Sequence, residues 1–534
     1  MDQSVIRPEI QKLIGIFQKT TPENLYKDIE GARINVSHIM SHISSFYEKI
    51  RNAIDYNEEH LLRKNAIQRI LKRKIRVSMN RKNIGKTLIF ELIRAGYLPN
   101  DAVPEIKIAE VDKAVHKYLS LLDYISKERG TTDKLKYFDW VMGMAAIEVE
   151  ERLHLLKRND ALVTTMYQML HKKIVFENDD GYDQTERNLF LYIAVHRGLI
   201  KSDNSIISYY LLNMYYPEFR EGDQSVIHTV SADINILYEN IQYYLRSSMS
   251  FKLAKFLQPH TVYFTILRDV IEEDVGTAYS KMLNGKAFDD GVRVAASKRY
   301  QLTSRKLARS IVNSVIYIFV TKIVVAFVLE LPYELFVLEE FRIMPLAINV
   351  LFPPSLMFVI ASSAKIPSSE NTKAIVAGIK AHIYPGEHDV NNYKFKPVQK
   401  RTFSKTFSFT FIYAAIFITS FGAIVYGLRV LQFNIISILL FLLFLSVVSF
   451  LGMKIRGSVK SLNVLKGREG FISSFFDFLF LPILKVGQWI SVKFSKFNVF
   501  AIFLDLVIEA PFKTIIALFE EWFSFMKEKR EEIY

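Results

Sequence analysis

Apolar and polar positions are spread unevenly along this chain. From residue 309 onward, uncharged runs approach the ~20 residues a helix needs to cross ~30 Å of hydrocarbon. Four runs qualify. Residues 310–329 are interrupted only by Lys322, and residues 343–364 are uncharged but carry Pro353 and Pro354. Residues 407–428 and 434–453 are uncharged throughout, and the five residues between them predict a tight antiparallel hairpin. Residues 1–290 read instead as helices joined by short polar breaks, with little strand-like alternation. Thr21 and Pro22 resemble a helix start. Behind them Leu25, Ile29, Ala32, Val36, Ile39, Ile43, Phe46, Ile50 and Ala53 recur at spacings of four and three, which predicts a coiled-coil seam.

Further helices are expected over 58–75, 83–95, 104–127, 132–157, 161–173, 184–197 and 223–245. Turn chemistry sets the breaks at Pro99-Asn100-Asp101, Gly130, Gly181, Pro217 and Gly222. Residues 288–309 predict a helix running without a break into the first span. Past the last span, 471–490 sets aromatics beside Asp477, Lys485 and Trp489, which suits an interfacial helix. Residues 498–510 are apolar but hold Asp505 and Glu509. After Pro511 an amphipathic helix with Phe519, Trp522 and Phe525 closes the chain. The expected fold class is therefore all-α: a helical cytosolic domain (1–290), a four-span bundle (291–453) and an amphipathic tail (454–534).

Charge orients the spans, because short cytoplasmic loops collect Lys and Arg. Arg293, Lys298, Arg299, Arg305, Lys306 and Arg309 precede span one with no acid among residues 291–309. The next loop is acidic, with Glu330, Glu334, Glu339 and Glu340 against Arg342. The connection from span two to span three and the segment after span four are basic again. Both termini are thus expected in the cytoplasm. The basic excess of these three segments alone exceeds the whole-chain charge of +14, so the charge is accounted for by topology and nucleic acid is not an expected partner. The N-terminus lacks the charged and apolar regions of a secretory signal, so export of the helical domain is not expected.

Composition narrows the chemistry. The 534 residues are 50% apolar and 13% aromatic, which excludes a disordered chain. The absence of cysteine removes thiolate metal sites, disulfides and a thiol nucleophile. Three phrases, HLLRKNAIQRILKRK (60–74), ELIRAGYLPND (91–101) and LPYELFVLEEFRIMPLAINVLFPP (331–354), resemble a group of multi-span membrane proteins from candidate-phyla bacteria with reduced genomes. The resemblance implies a bacterial inner membrane and carries no activity, cofactor or catalytic residue.

Candidate chemistry is sparse. Gly85-Lys86-Thr87 at a helix start, after the strand-like 75–79, has Asn80 where a phosphate loop needs glycine, so an ordinary helix start is expected. Glu151 and His154 have half the spacing of a di-iron site, but no second Glu-x-x-His exists, and a surface pair on a charged face (Glu148, Glu150, Glu151, Arg152) is expected. His38 and His42, four apart, lack a zinc-protease glutamate and fall on the solvent side of the seam. No metal, cofactor or catalytic residue is assigned.

The membrane half holds the costlier groups. A lysine deep in a span costs at least ~2.5 kcal/mol unless paired or wetted. Lys322, Asn349, Pro353 and Pro354 form a candidate intramembrane polar site. Glu330, eight residues from Lys322, lies about 12 Å along an ideal helix. Asp505 or Glu509 is therefore the expected partner. The expected function is a non-enzymatic membrane-anchored scaffold or tether, with the lipid bilayer and a protein partner or second copy as its contacts. The alternative is a small-solute or ion transporter built on the polar site.

Overall fold

The computed structural model describes residues 6–21, 24–36, 59–77, 83–177, 181–339, 342–364, 367–386, 392–397, 403–465 and 471–496, with isolated residues elsewhere. The chain is all-α, with a helical unit and four helices long and apolar enough to cross a membrane. Two compact units emerge. One comprises the described residues up to Asp289, those of 378–397 and the few described after 516, and the other those of 290–377 and 403–496.

In the first unit α1 (Pro8–Lys19), α2 (Glu59–Val77), α3 (Ile84–Arg94), α4 (Ile106–Arg129), α5 (Thr131–Arg152) and α6 (Lys157–Leu170) follow one another, ending at a short strand β1 (Ile174–Phe176). Then come α7 (Gln184–Leu199), α8 (Asn204–Tyr215), a 3-10 turn (Pro217–Glu221), α9 (Gln224–Ala232), α10 (Ile234–Arg246), α11 (Ser248–Phe256), α12 (Gln258–Glu273) and α13 (Ala278–Leu283). Starts carry their chemistry. Asp183 caps α7 in a reciprocal box with Glu186, and Asp203 and Asp223 accept from the first turns of α8 and α9. The core centres on α5, which is buried continuously from Val141 to Glu150 and packs against α2, α4 and α8. Gly143 permits the approach of α8, since a Cβ there would stand 2.5 Å from Ser205 Oγ. β1 pairs in parallel with β2 (Tyr393–Phe395).

The expected seam does not form a helix where it is described. Residues 24–28 make turns and Gly31 adopts φ +124°. The backbone then pairs with the turn before α4: Ile34 N donates to Val103 O, Asp101 N to Ile34 O and Glu105 N to Ala32 O. Arg33 holds the turn by donating to the carbonyls of Tyr26, Ile29 and Ala102. Tyr26, Ile34 and Val36 are buried in the common core. Three-and-four spacing is thus met by a loop lying on the core, its backbone groups satisfied by distant partners. The rest of the seam, with His38 and His42, lies outside the described residues. Two smaller expectations change as well: residues 75–77 finish α2 rather than a strand, and 223–245 divides at Asp233 into α9 and α10.

The second unit contains most of α14 (Gly285–Val325), a π-helical segment (Ala326–Glu330), α15 (Leu331–Phe336), α16 (Ile343–Ser362), the first part of α17 (Ser369–Ile383), α18 (Phe403–Val430), α19 (Ile435–Lys460) and α20 (Phe471–Lys496). The unbroken entry into span one is present as α14. The turn between α18 and α19 is as short as expected: Gln432 takes a left-handed φ and Asn434 caps α19. α19 packs on α16 and α20, while α20 also packs on α18. Gly487 of α20 makes a close approach, since a Cβ there would run into the Ser446 carbonyl. Around Ile483 and Gly487 this helix therefore lies against the bundle, while Phe478, Phe480 and Trp489 are exposed. Asn371 ties the ends together by donating to Tyr300 Oη and Leu462 O, and by accepting from Val464 N.

Candidate functional site

The carboxylate that meets Lys322 is Glu330. Its Oε1 lies 2.7 Å from Lys322 Nζ, and both side chains have no solvent exposure. Residues 326–330 are π-helical, closing i→i+5, so an extra residue in the turn shortens the rise and rotates Glu330 relative to Lys322. The lysine stem and the glutamate side chain cover what remains. The acidic outer loop expected from the sequence is thus partly inside the bundle: Glu330 and Glu334 are buried, and helix continues through Phe336.

Asn349 joins the pair from α16. Its Nδ2 donates to Glu330 Oε1 at 2.8 Å and to the Ser437 carbonyl of α19 at 3.3 Å. Lys322 also lies 4.7 Å from the centre of the Phe444 ring, a cation–π contact. Pro353 and Pro354 are buried one turn along α16 from Asn349. Lacking N–H groups, they leave the carbonyls of Asn349 and Val350 without their usual i+4 donors. A second polar layer follows. Glu334 Oε1 accepts from Asn434 Nδ2 at 3.0 Å, and the same asparagine's Oδ1 accepts from Ser437 N at 2.8 Å. Three buried oxygens near the pair make no hydrogen bond: Glu330 Oε2, Asn349 Oδ1 and Ser437 Oγ.

The structure therefore unites Lys322 and Asn349 and places Pro353 and Pro354 beside them. Asp505 and Glu509 lie outside the described residues. The ideal-helix distance sets Glu330 aside, and no run or spacing in the sequence analysis singled out Glu334 or Asn434 as members. The available signal was the i,i+4 spacing of Glu330 and Glu334, which puts both on one helical face close behind span one.

The candidates in the helical unit resolve differently. Gly85 is where α3 meets α4: its N–H donates to Asp112 Oδ1, and a Cβ would stand 2.8 Å from Ile108 O. Its small size serves packing. Glu148 and Glu150 are buried, correcting the expected charged surface. Glu150 meets Arg63 at 2.5 Å, and burial raises its carboxyl above the usual range. Glu148 accepts from Lys117 Nζ, Tyr118 Oη and Arg152. Glu151 bonds Tyr209 and Arg220. His154 has left α5 in a left-handed conformation, 3.2 Å from Lys107 Nζ. Burial, and then the Lys107 charge, lower its imidazole to about 4. Among the described residues no group of three or more His, Asp or Glu is arranged to hold a metal ion.

No family model, curated protein or solved structure matches the chain.

Proposed function

We propose that the chain is a membrane-anchored scaffold of a bacterial cytoplasmic membrane, with both termini cytoplasmic, whose helical unit binds a protein partner or a second copy. The observation that carries this reading is the closure of the intramembrane charges upon one another. Lys322 and Glu330 have no exposure and are bound within the chain, as suits a locked anchor. The helical unit has a large core of its own, so it can present a folded surface for recognition. The basic segments flanking the spans support the orientation.

Topology is tested with reporter tags: cytoplasmic signals at both ends and an external one near Tyr333 are expected, and a periplasm-active reporter working at the C-terminus would overturn the orientation. The scaffold is tested by native mass spectrometry of the tagged protein from solubilised native membranes. A stoichiometric partner or homo-oligomer is expected, and a lone monomer would count against it.

A transporter is the second reading, favoured by the unpartnered oxygens of Glu330, Asn349 and Ser437 beside a buried cation. Solute or ion flux into proteoliposomes carrying the wild-type protein, and none into protein-free liposomes, would replace the scaffold reading with this one.

A further inference from the structure

The helical unit holds a cleft of about 230 Å³ between α4, α5 and the 3-10 turn. Its floor is the buried pair Lys117 and Glu148, with Arg152 beside them. Lys113, Arg220 and Glu221 stand exposed at the rim. We propose that this cleft binds a small phosphate-bearing anion, either inorganic phosphate or a compact phosphomonoester.

The charge arrangement carries the inference. On the floor, two cations share one carboxylate: Lys117 Nζ is 2.6 Å from Glu148 Oε2, and Arg152 Nη2 is 3.0 Å from Glu148 Oε1. One positive charge is therefore uncompensated. At the rim, Arg220 is balanced by Glu151, while Lys113 makes no hydrogen bond or ion pair among the described residues. Glu221 opposes it, and the cleft as a whole remains positive.

The groups are also held in place, which lowers the ordering cost of binding. Lys117 donates to Phe219 O at 2.9 Å and sits 4.5 Å from the Phe219 ring centre. Arg152 donates to Arg220 O at 2.8 Å. Gly222, at φ +78°, turns the chain at the rim, where a Cβ would already touch the Lys117 stem at 3.5 Å. Asp223 occupies the start of α9, so side chains carry the site rather than that helix end.

Size and shape select the ligand. The volume is below the roughly 300–1,000 Å³ of drug-sized sites, so the occupant is compact. The cations approach from two helices and a turn. A tetrahedral anion accepts from several directions at once, whereas a carboxylate favours two parallel donors in one plane. The site gives the helical unit a ligand under either functional reading and depends on neither.

The test is calorimetric titration of the full-length protein in detergent with inorganic phosphate, glycerol phosphate and acetate at constant ionic strength. One-to-one binding of a phosphate species, and none of acetate, is expected. Tighter binding of glycerol phosphate than of inorganic phosphate would identify a phosphomonoester as the ligand, and the reverse order the free ion. Two exposed variants read the site by sign: Lys113→Glu should weaken binding about tenfold or more, and Glu221→Gln should tighten it several-fold. Unchanged melting in both confirms that neither variant acts through folding. Absence of phosphate binding, or binding indifferent to both substitutions, would overturn the proposal.

Discussion

Each unit buries a lysine–glutamate pair, and the two pairs are completed differently. In the helical unit both oxygens of Glu148 are used, by Lys117, Tyr118 and Arg152, and Lys117 has a backbone carbonyl as well. In the membrane unit Glu330 engages Lys322 and Asn349 through one oxygen, while Oε2 has no partner. A buried ion pair repays its desolvation only when the remaining lone pairs and protons are also bonded. The pair in the helical unit meets that condition within a crowded polar network. The membrane pair rests on one lysine, one amide and an aromatic face, so each partner counts for more.

Removing the lysine from each pair tests this most strongly. Lys322→Met should cost about 3–5 kcal/mol, because it strands a carboxylate in an apolar bundle. Lys117→Met should cost less, because Arg152 and Tyr118 still hold Glu148. Denaturation in detergent reads both, and equal losses would break the comparison. Pairing Lys322→Met with Glu330→Gln should recover much of the first loss.

Close glycine contacts give the next effect. Gly487→Ala directs its Cβ at the Ser446 carbonyl, which can move only if α20 and α19 separate. A loss of about 1–3 kcal/mol is expected from overpacking. In the helical unit Gly378→Ala meets the Tyr263 ring instead. A side chain yields more readily than backbone, so the melting loss there should be smaller, and the opposite order would refute the argument.

Histidine titration should act on the helical unit alone. All eleven histidines lie outside the four helices long and apolar enough to cross a membrane. Burial lowers His196 and His260 to about 3, the latter with help from His382, and burial lowers His382 to about 4. His260 Nδ1 and His382 Nε2 are 3.1 Å apart. The unfolded state, with its ordinary value near 6.5, binds more protons below that pH. The stabilisation is therefore complete above about 6.5 and is lost as pH falls towards 4. Asp160, raised to about 6 by burial, opposes this over part of the window. Hydrogen exchange by peptide at pH 7 and pH 5 should show α12 losing protection while α16 and α19 do not. His260→Asn should flatten the response, and an unchanged slope would rule the histidines out.

Caps should give the smallest losses. Asp183→Ala, at the exposed start of α7, should cost about 1 kcal/mol. Asn434→Ala removes a cap and also a donor to buried Glu334, so its loss should be the larger. Equal losses on denaturation would mean that Glu334 gains nothing from Asn434.

The all-α class, the four membrane-length helices, the α18–α19 turn and many helix boundaries of the first unit were legible from sequence. Each depends on runs, spacings and turn residues within one stretch of chain. Lys322 and Asn349 were legible as candidates for the same reason, since a charge or amide in an apolar run is conspicuous by itself. What Lys322 pairs with was not legible, because a π-helical segment changes the reach between residues eight apart. Over its described part, residues 25–36, the seam failed on the same ground: its period was right for a helix, yet Gly31, Arg33 and the turn before α4 supplied a competing set of backbone partners. Glu148 and Glu150 looked like a solvated face because the residues that neutralise them, Lys117 and Arg63, are distant in sequence. Local pattern determined which segments are helical and apolar. Only tertiary packing decided which charges are buried, because a charge tolerates burial only beside partners that the fold brings to it.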